Sequence, residues 1–465
     1  MRRAVRFLRV AVAVLAVGAG LSMPGSATAQ VTTFSPGSSG GGDPYFPLQG
    51  NGGYDVQHYD ITFSYDPGTK RMAGSTFLTA RATQNLSRFN LDFTGLVVRS
   101  VKVNRAGATF TQQGQELTVT PGAGLPAGQL FGVAVIYDGN PTHIVDPDNS
   151  IEGWIVTSDG AFVAGAPQGA MTWFPGNHDL ADKATHTFRV TVPDGTTAVA
   201  NGDLTSRSSA GGQTTFVWTS PEPMTDYLAT ATIGRFDLTR TATSSPVNII
   251  AVDPSSSTAP TAPIYQTPDI TAWLSGRFGP YPFSVTGGIV DNASFVGYAL
   301  ETQTKPLYPL SPFTQLVVHE LAHQWYGDSL TPTSWKDVWL NEGFATYAEW
   351  MWNEHATGRT VQSQFDSEYA RPAGDAFWQV RPGDPGAAAV FHPAVYDRGA
   401  MTLQALRRTV GSRVFHSILR TWADEHRYGS VTTQQFVDLA ERLSGRQLDD
   451  LFQRWLYTPG KPSFP

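Results

Sequence analysis

The sequence predicts a multidomain α+β chain, an N-terminal all-β antiparallel domain followed by a mainly α-helical one, and three observations carry this. Residues 54–238 consist of short apolar-alternating runs broken by turn residues, the signature of half-buried strands. Beyond a Pro/Ser-rich seam at 252–268 the apolar spacing changes to that of helices. The chain has 465 residues, 41% hydrophobic and 15% charged, enough for two or three domains with sizeable cores.

At the front, Arg2, Arg3, Arg6 and Arg9 precede an apolar run over 10–21 and a small-residue site, Ala27-Thr28-Ala29, before Gln30. This is the layout of a secretory signal over 1–29. The apolar run falls short of the ~20 residues that span a bilayer, so a secreted, extracellular protein is expected, with no stable membrane insertion after cleavage. Loss of the four arginines takes the formal charge from −7 to −11. With no basic stripe and no phosphate-cradling glycine loop, a nucleic-acid partner is not expected. No cysteine is present, which excludes disulfides and a lipidated cysteine anchor.

Residues 30–53, rich in Ser, Gly and Pro, read as a flexible leader. The expected β domain, 54–245, has strands near 55–63, 96–103, 130–137 and 187–192, with turns at Pro193-Asp194-Gly195 and Asn201-Gly202. In the second domain, 246–465, short β segments at 249–252 and 288–290 suggest a small sheet. Helices are expected over 268–278, 313–327, 341–358, 398–410, 412–426 and 433–444, with Asn341 capping the third and Gly327 and Gly358 as stops.

The second of these helices carries His319-Glu320-Leu321-Ala322-His323. Positions i and i+4 share a helix face, so both imidazoles converge on one metal ion. Glu320 projects beside them, placed to take a proton from water at that metal. Glu342, in Trp339-Leu340-Asn341-Glu342-Gly343-Phe344-Ala345, supplies a third ligand from the next helix. Three protein ligands and one open position describe a hydrolytic zinc site, with one Zn2+ per chain. Glu349, two turns after Glu342, either orients a ligand or is a solvated charge. Trp350-Met351-Trp352 reads as core, and His355, His392, His416 and His426 as structural or surface residues.

These motifs, with the two-part layout, resemble the M1 family of gluzincin aminopeptidases. The resemblance extends to Trp173-Phe174-Pro175 with Asp182-Lys183-Ala184-Thr185, to Phe278-Gly279-Pro280-Tyr281-Pro282-Phe283, to Gly297-Tyr298-Ala299-Leu300-Glu301 and to Val395-Tyr396-Asp397-Arg398-Gly399-Ala400. It implies a thermolysin-like catalytic domain and peptide substrates with free N-termini. Gly297, Ala299 and Glu301 fall on the exopeptidase motif that binds the substrate, and Tyr396 on the catalytic tyrosine. Leu300 and Thr302 depart from that motif's Met and Asn. Within this implied mechanism Glu320 is the general base, Tyr396 the oxyanion donor and Glu301 the partner of the α-amino group. A monomer is expected. The rival readings are a thermolysin-type endopeptidase, an epoxide hydrolase of the same family, and a binding protein on a degenerate scaffold.

Overall fold

In strand Tyr54–Asp66, Tyr54, Val56, Tyr59, Ile61, Phe63 and Tyr65 are buried, and the phase of the alternation slips once, between Val56 and Tyr59. A register shift against strand Arg71–Ala82 lies at that point, where one extra residue turns the following side chains to the core face. The structure, a computed structural model, describes residues 33–242, 246–256 and 263–463. The expected signal at 1–29 lies outside the described residues.

Tyr54–Asp66 sits near the middle of an eight-stranded sheet. Its neighbours are Arg71–Ala82, antiparallel, and Lys183–Pro193, which runs parallel to it. A four-stranded sheet containing Leu86–Asp92 and a five-stranded one containing Ile151–Val156 and Ala161–Ala164 complete the β region. Trp154, Trp173, Phe174 and Trp218 are fully buried in its core. Strand Asp237–Thr241, N-terminal to residue 245, joins Val247–Val252, Val285–Val290 and Leu307–Tyr308 in the small sheet of the second half.

Among the described residues eight α-helices follow: α1 (Thr267–Phe278), α2 (Thr314–Ala322), α3 (Trp339–Thr357), α4 (Val361–Tyr369), α5 (Pro393–Val410), α6 (Ser412–Glu425), α7 (Thr433–Ser444) and the short α8 (Asp449–Phe452). Helix α7 starts in a capping box between Thr432 and Gln435. Helix α3 ends at Gly358, whose φ of 78° suits a residue without a Cβ. None of the helices among the described residues is long and apolar enough to cross a membrane.

Three expectations need correction. Asn341 does not cap α3, because a short 3-10 turn at Trp335–Asp337, capped by the Ser334 side chain, leads directly into a helix that begins at Trp339. Helix α2 ends at Ala322, ahead of Gly327, and α5 starts at Pro393 instead of 398, with proline in the first turn where its missing N–H costs nothing. The leader is not loose over its described part. Phe46 is buried; Gln49 donates from Nε2 to the Pro167 carbonyl (2.6 Å) and accepts from Trp335 Nε1 (2.8 Å). Asp43 accepts from the Ser334 hydroxyl and the Trp335 N–H, both at 2.8 Å, and Tyr45 donates to Asp384 at 2.6 Å. These polar anchors tie the segment to both halves of the molecule, which its Ser/Gly/Pro composition concealed.

Candidate active site

Helix α2 buries Val317, Val318 and Leu321 on one side and presents His319 and Glu320 on the other. His323 lies just past its last residue but keeps helical dihedrals, and its N–H still bonds the His319 carbonyl at 3.3 Å. The i, i+4 stacking therefore survives the helix end. Glu342 comes from the first turn of α3. Its Oε2 lies 3.2 Å from His319 Nε2 and 3.4 Å from His323 Nε2, and the three side chains are almost wholly buried.

The opposite ring nitrogens are pinned. His319 Nδ1 meets Glu349 Oε1 at 2.7 Å, and His323 Nδ1 meets the Tyr326 carbonyl at 3.0 Å. With each Nδ1 donating its proton, each Nε2 is left as a free base pointing at Glu342. Ligand atoms of His319, His323 and Glu342 lie within 4.8 Å of one another. Two imidazoles and a carboxylate at that spacing fit zinc. Glu349 is thus an orienting partner and not a solvated charge.

Ligand atoms of Glu301, Glu320 and His323 form a second group, also within 4.8 Å of one another. Burial pushes the Glu320 carboxyl up to about 8, against the opposing charge of His319 and His323. Glu301 is held from three directions. Its Oε1 accepts from the Tyr227 hydroxyl (3.2 Å), its carbonyl accepts from Gln324 Nε2 (3.2 Å), and the adjacent Leu300 exchanges backbone bonds with Leu307. Gly297 has φ +84°, a conformation that favours glycine. Ala299 lines the cavity wall.

Tyr396 sits in the first turn of α5, its ring stacked 5.9 Å from that of His319. Burial, and then the charges of Glu342, Glu301 and Glu320, push its phenol well above the ordinary value, so it remains a donor. The following residues set its height. Arg398, fully buried, donates five hydrogen bonds to backbone carbonyls, among them Trp455 (2.8 Å), Trp378 (2.9 Å) and Thr458 (2.6 Å). Gly399 backs onto Gly343 so closely that a Cβ there would lie 2.9 Å from the Gly343 Cα. The helix of the third ligand and the helix of the tyrosine are therefore locked together one residue beyond Glu342.

The metal-ligating, catalytic and substrate-binding residues expected from sequence, Gly297 apart, line one cavity of about 440 Å³. Sequence reasoning missed Tyr227, which follows the strand Gln213–Thr225 and bonds Asn341 Nδ2 (3.3 Å) as well as Glu301. It also missed Tyr298, which donates to the Ile151 carbonyl at 2.7 Å and fastens the Glu301 segment to the β region. Tyr227 lies in no spacing that marks it in a single sequence, and Tyr298, though inside the Gly297–Glu301 run, has no role that its position in that run alone discloses. Lys183, from the quoted N-terminal signature, donates to the Asp328 and Ser329 carbonyls just after His323 (3.0 and 2.9 Å).

A family model, the peptidase family M1 domain, matches residues 299–455. Among curated relatives, the chain is 24% identical over 321 residues to Aminopeptidase M1-D of Oryza sativa subsp. japonica, covering 63% of this chain and 36% of that protein. It is 27% identical over 328 residues to Aminopeptidase B of Rattus norvegicus, covering 63% and 48%. The chain thus spans about a third to a half of the length of these relatives. A crystal structure of an M1 zinc metallopeptidase from Deinococcus radiodurans superposes with a TM-score of 0.84 at 30% identity, over 92% of this chain and 98% of that one. A mutant from the same organism, bound to a Tyr-Ser-Ala substrate, gives 0.83 over 92% and 100%. The structural match takes in both the β region and the helical region, and the chain belongs to the M1 family of zinc metallopeptidases, with the fold of a two-domain member.

Proposed function

We propose that the protein is a secreted zinc aminopeptidase that removes N-terminal residues from peptides. The observation that carries this reading is the second carboxylate–histidine group. Glu301, suited to an α-ammonium, has its carboxylate within 4.8 Å of ligand atoms on Glu320 and His323. An amino terminus anchored at Glu301 leaves room for about one residue before the reacting carbonyl. An endopeptidase needs that end of the cleft open.

Zinc, held by His319, His323 and Glu342, supplies Lewis acidity toward a water molecule and the scissile carbonyl. Glu320 accepts the proton of the attacking water and passes it to the departing amine. Tyr396 donates a hydrogen bond to the carbonyl oxygen as negative charge develops there. Tyr227 keeps the Glu301 carboxylate aimed into the cavity, while buried walls exclude bulk water and strengthen each charge contact. The similar structure with Tyr-Ser-Ala supports peptides as substrates. The arginine-rich start followed by a short apolar run supports export.

The test compares aminoacyl-fluorophore substrates with their N-acetylated counterparts on the purified protein, before and after a chelator. Cleavage confined to free amino termini, abolished by the chelator and restored by zinc, is expected. Equal cleavage of blocked and free substrates would overturn the exopeptidase assignment.

A further inference from the structure

Five carboxylates line the cavity, and four have tasks in the proposed reaction: Glu342 on the metal, Glu320 on the water, Glu349 on His319, and Glu301 on the α-amine. The fifth, Asp148, has none. No lysine or arginine lines the cavity among the described residues. A fixed negative charge on the wall of a substrate cavity, without a protein counter-ion there, favours a cation.

The position of Asp148 is built. Strands His143–Val145 and Ile151–Val156 pair antiparallel, and the hairpin between them closes with Asp146 N–H on the Ser150 carbonyl (3.0 Å) and Asn149 N–H on the Asp146 carbonyl (2.8 Å). Asn149 turns the chain with φ +71°. At the tip, Asp148 Oδ1 accepts from the Ser150 N–H (2.9 Å) and hydroxyl (2.6 Å), which fixes the carboxylate and leaves Oδ2 for another donor.

This hairpin is tied to the amine-binding segment. Tyr298, three residues before Glu301, donates to the carbonyl of Ile151, the residue after Ser150. Tyr298, Asp148 and Glu301 all line the same cavity. A substrate residue anchored by its α-amine at Glu301 shares this cavity with Tyr298 and Asp148. Phe313, Leu316 and Phe391 supply apolar wall for a long aliphatic stem.

We propose that Asp148 is a specificity-determining residue that selects substrates whose N-terminal residue carries a cationic side chain, a guanidinium or an ammonium. The proposal rests on the aminopeptidase reading above. It assigns the class of residue removed and uses a residue of the β region to do so.

The experiment measures kcat/KM for arginyl-, lysyl-, citrullyl- and norleucyl-fluorophores with the full-length protein and with Asp148→Asn and Asp148→Lys. Citrulline keeps the shape of arginine without its charge. The native enzyme should favour arginine over citrulline by about tenfold, the scale of one charge-assisted hydrogen bond. Asp148→Asn should bring that ratio to about one and Asp148→Lys below one. A native ratio near one would overturn the proposal. So would an equal loss on arginyl and norleucyl substrates in Asp148→Asn, which would place Asp148 on the α-amine. Absence of cleavage of all four substrates by the native protein would refute the aminopeptidase reading, whereas cleavage of all four at equal rates would overturn the selection alone.

Discussion

The link between Glu349 and His319 makes a quantitative prediction about zinc. The two histidines are oriented differently: His323 by the Tyr326 carbonyl, which no substitution removes, and His319 by a side chain 2.7 Å away. Glu349→Ala deletes only the second constraint, freeing the His319 ring to rotate and its proton to move to the metal-facing nitrogen. Loss of such an outer hydrogen-bond partner costs roughly 10–100-fold in metal affinity, or about 1.4–2.7 kcal/mol. The Glu349 side chain is 26% exposed, so water partly replaces it and the lower end applies. Glu349→Gln keeps an acceptor oxygen at the same reach without the charge and should lose less. Zinc affinity is measured by competition against a chelator of known strength. The metal-free proteins should melt within a degree or two of each other, since the Glu349 side chain is partly exposed. A Glu349→Ala protein that binds zinc as tightly as the native one would refute the orientation argument.

Tyr227→Phe removes a donor to Glu301 at 3.2 Å and an acceptor for Asn341 at 3.3 Å. It should lower kcat/KM on free-amine substrates by about tenfold with zinc content unchanged, and unaltered discrimination between free and N-acetylated substrates would remove Tyr227 from amine recognition. Gly399→Ala drives a Cβ to 2.9 Å from the Gly343 Cα, an overpacking cost of about 1–3 kcal/mol to be read as a lower melting temperature; an unchanged one would mean that α3 and α5 part freely. Burial pushes the Lys305 ammonium down to about 7 from its ordinary 10.5, so between those values the unfolded chain holds more protons and stability should rise with pH. Lys305→Met should reduce that slope in a pH series of melting temperatures, and an unchanged slope would show that Lys305 does not cause it.

The chemistry of the site was more legible than its support, for a reason visible in the residues. The ligands His319 and His323 are one helical turn apart, so the backbone itself dictates their convergence. Glu342 is near in sequence and reaches them through one helix-turn-helix step. Strand positions were legible for the same reason, since the alternation in Tyr54–Asp66 is local, and the parallel pairing with Lys183–Pro193 was not, because a strand's own residues do not name its neighbour. The ends of α2 and α5 were misplaced by a few residues because proline in a first turn and helical dihedrals past a last one leave the apolar spacing unchanged.

What composition concealed lies at contacts between distant segments, and these determine how the cleft is held. Gln49 joins Pro167 of the β region to Trp335 of the catalytic half with the two ends of a single amide. Pro167 follows Ala166 on the cavity wall, while Trp335 packs against Tyr227 and the cavity-lining Phe391. Tyr298 and Lys183 make further crossings. Each is a directional polar contact to a backbone carbonyl or an indole, which fixes relative position more sharply than apolar burial does. The metal donors belong to the helical half alone, whereas Glu301 accepts from Tyr227 and shares its cavity with Asp148, both from the β region. Under the proposed roles, bond cleavage and choice of substrate draw on different parts of the chain, and substitutions at the Asp148 hairpin should alter which peptides are accepted with zinc content unchanged.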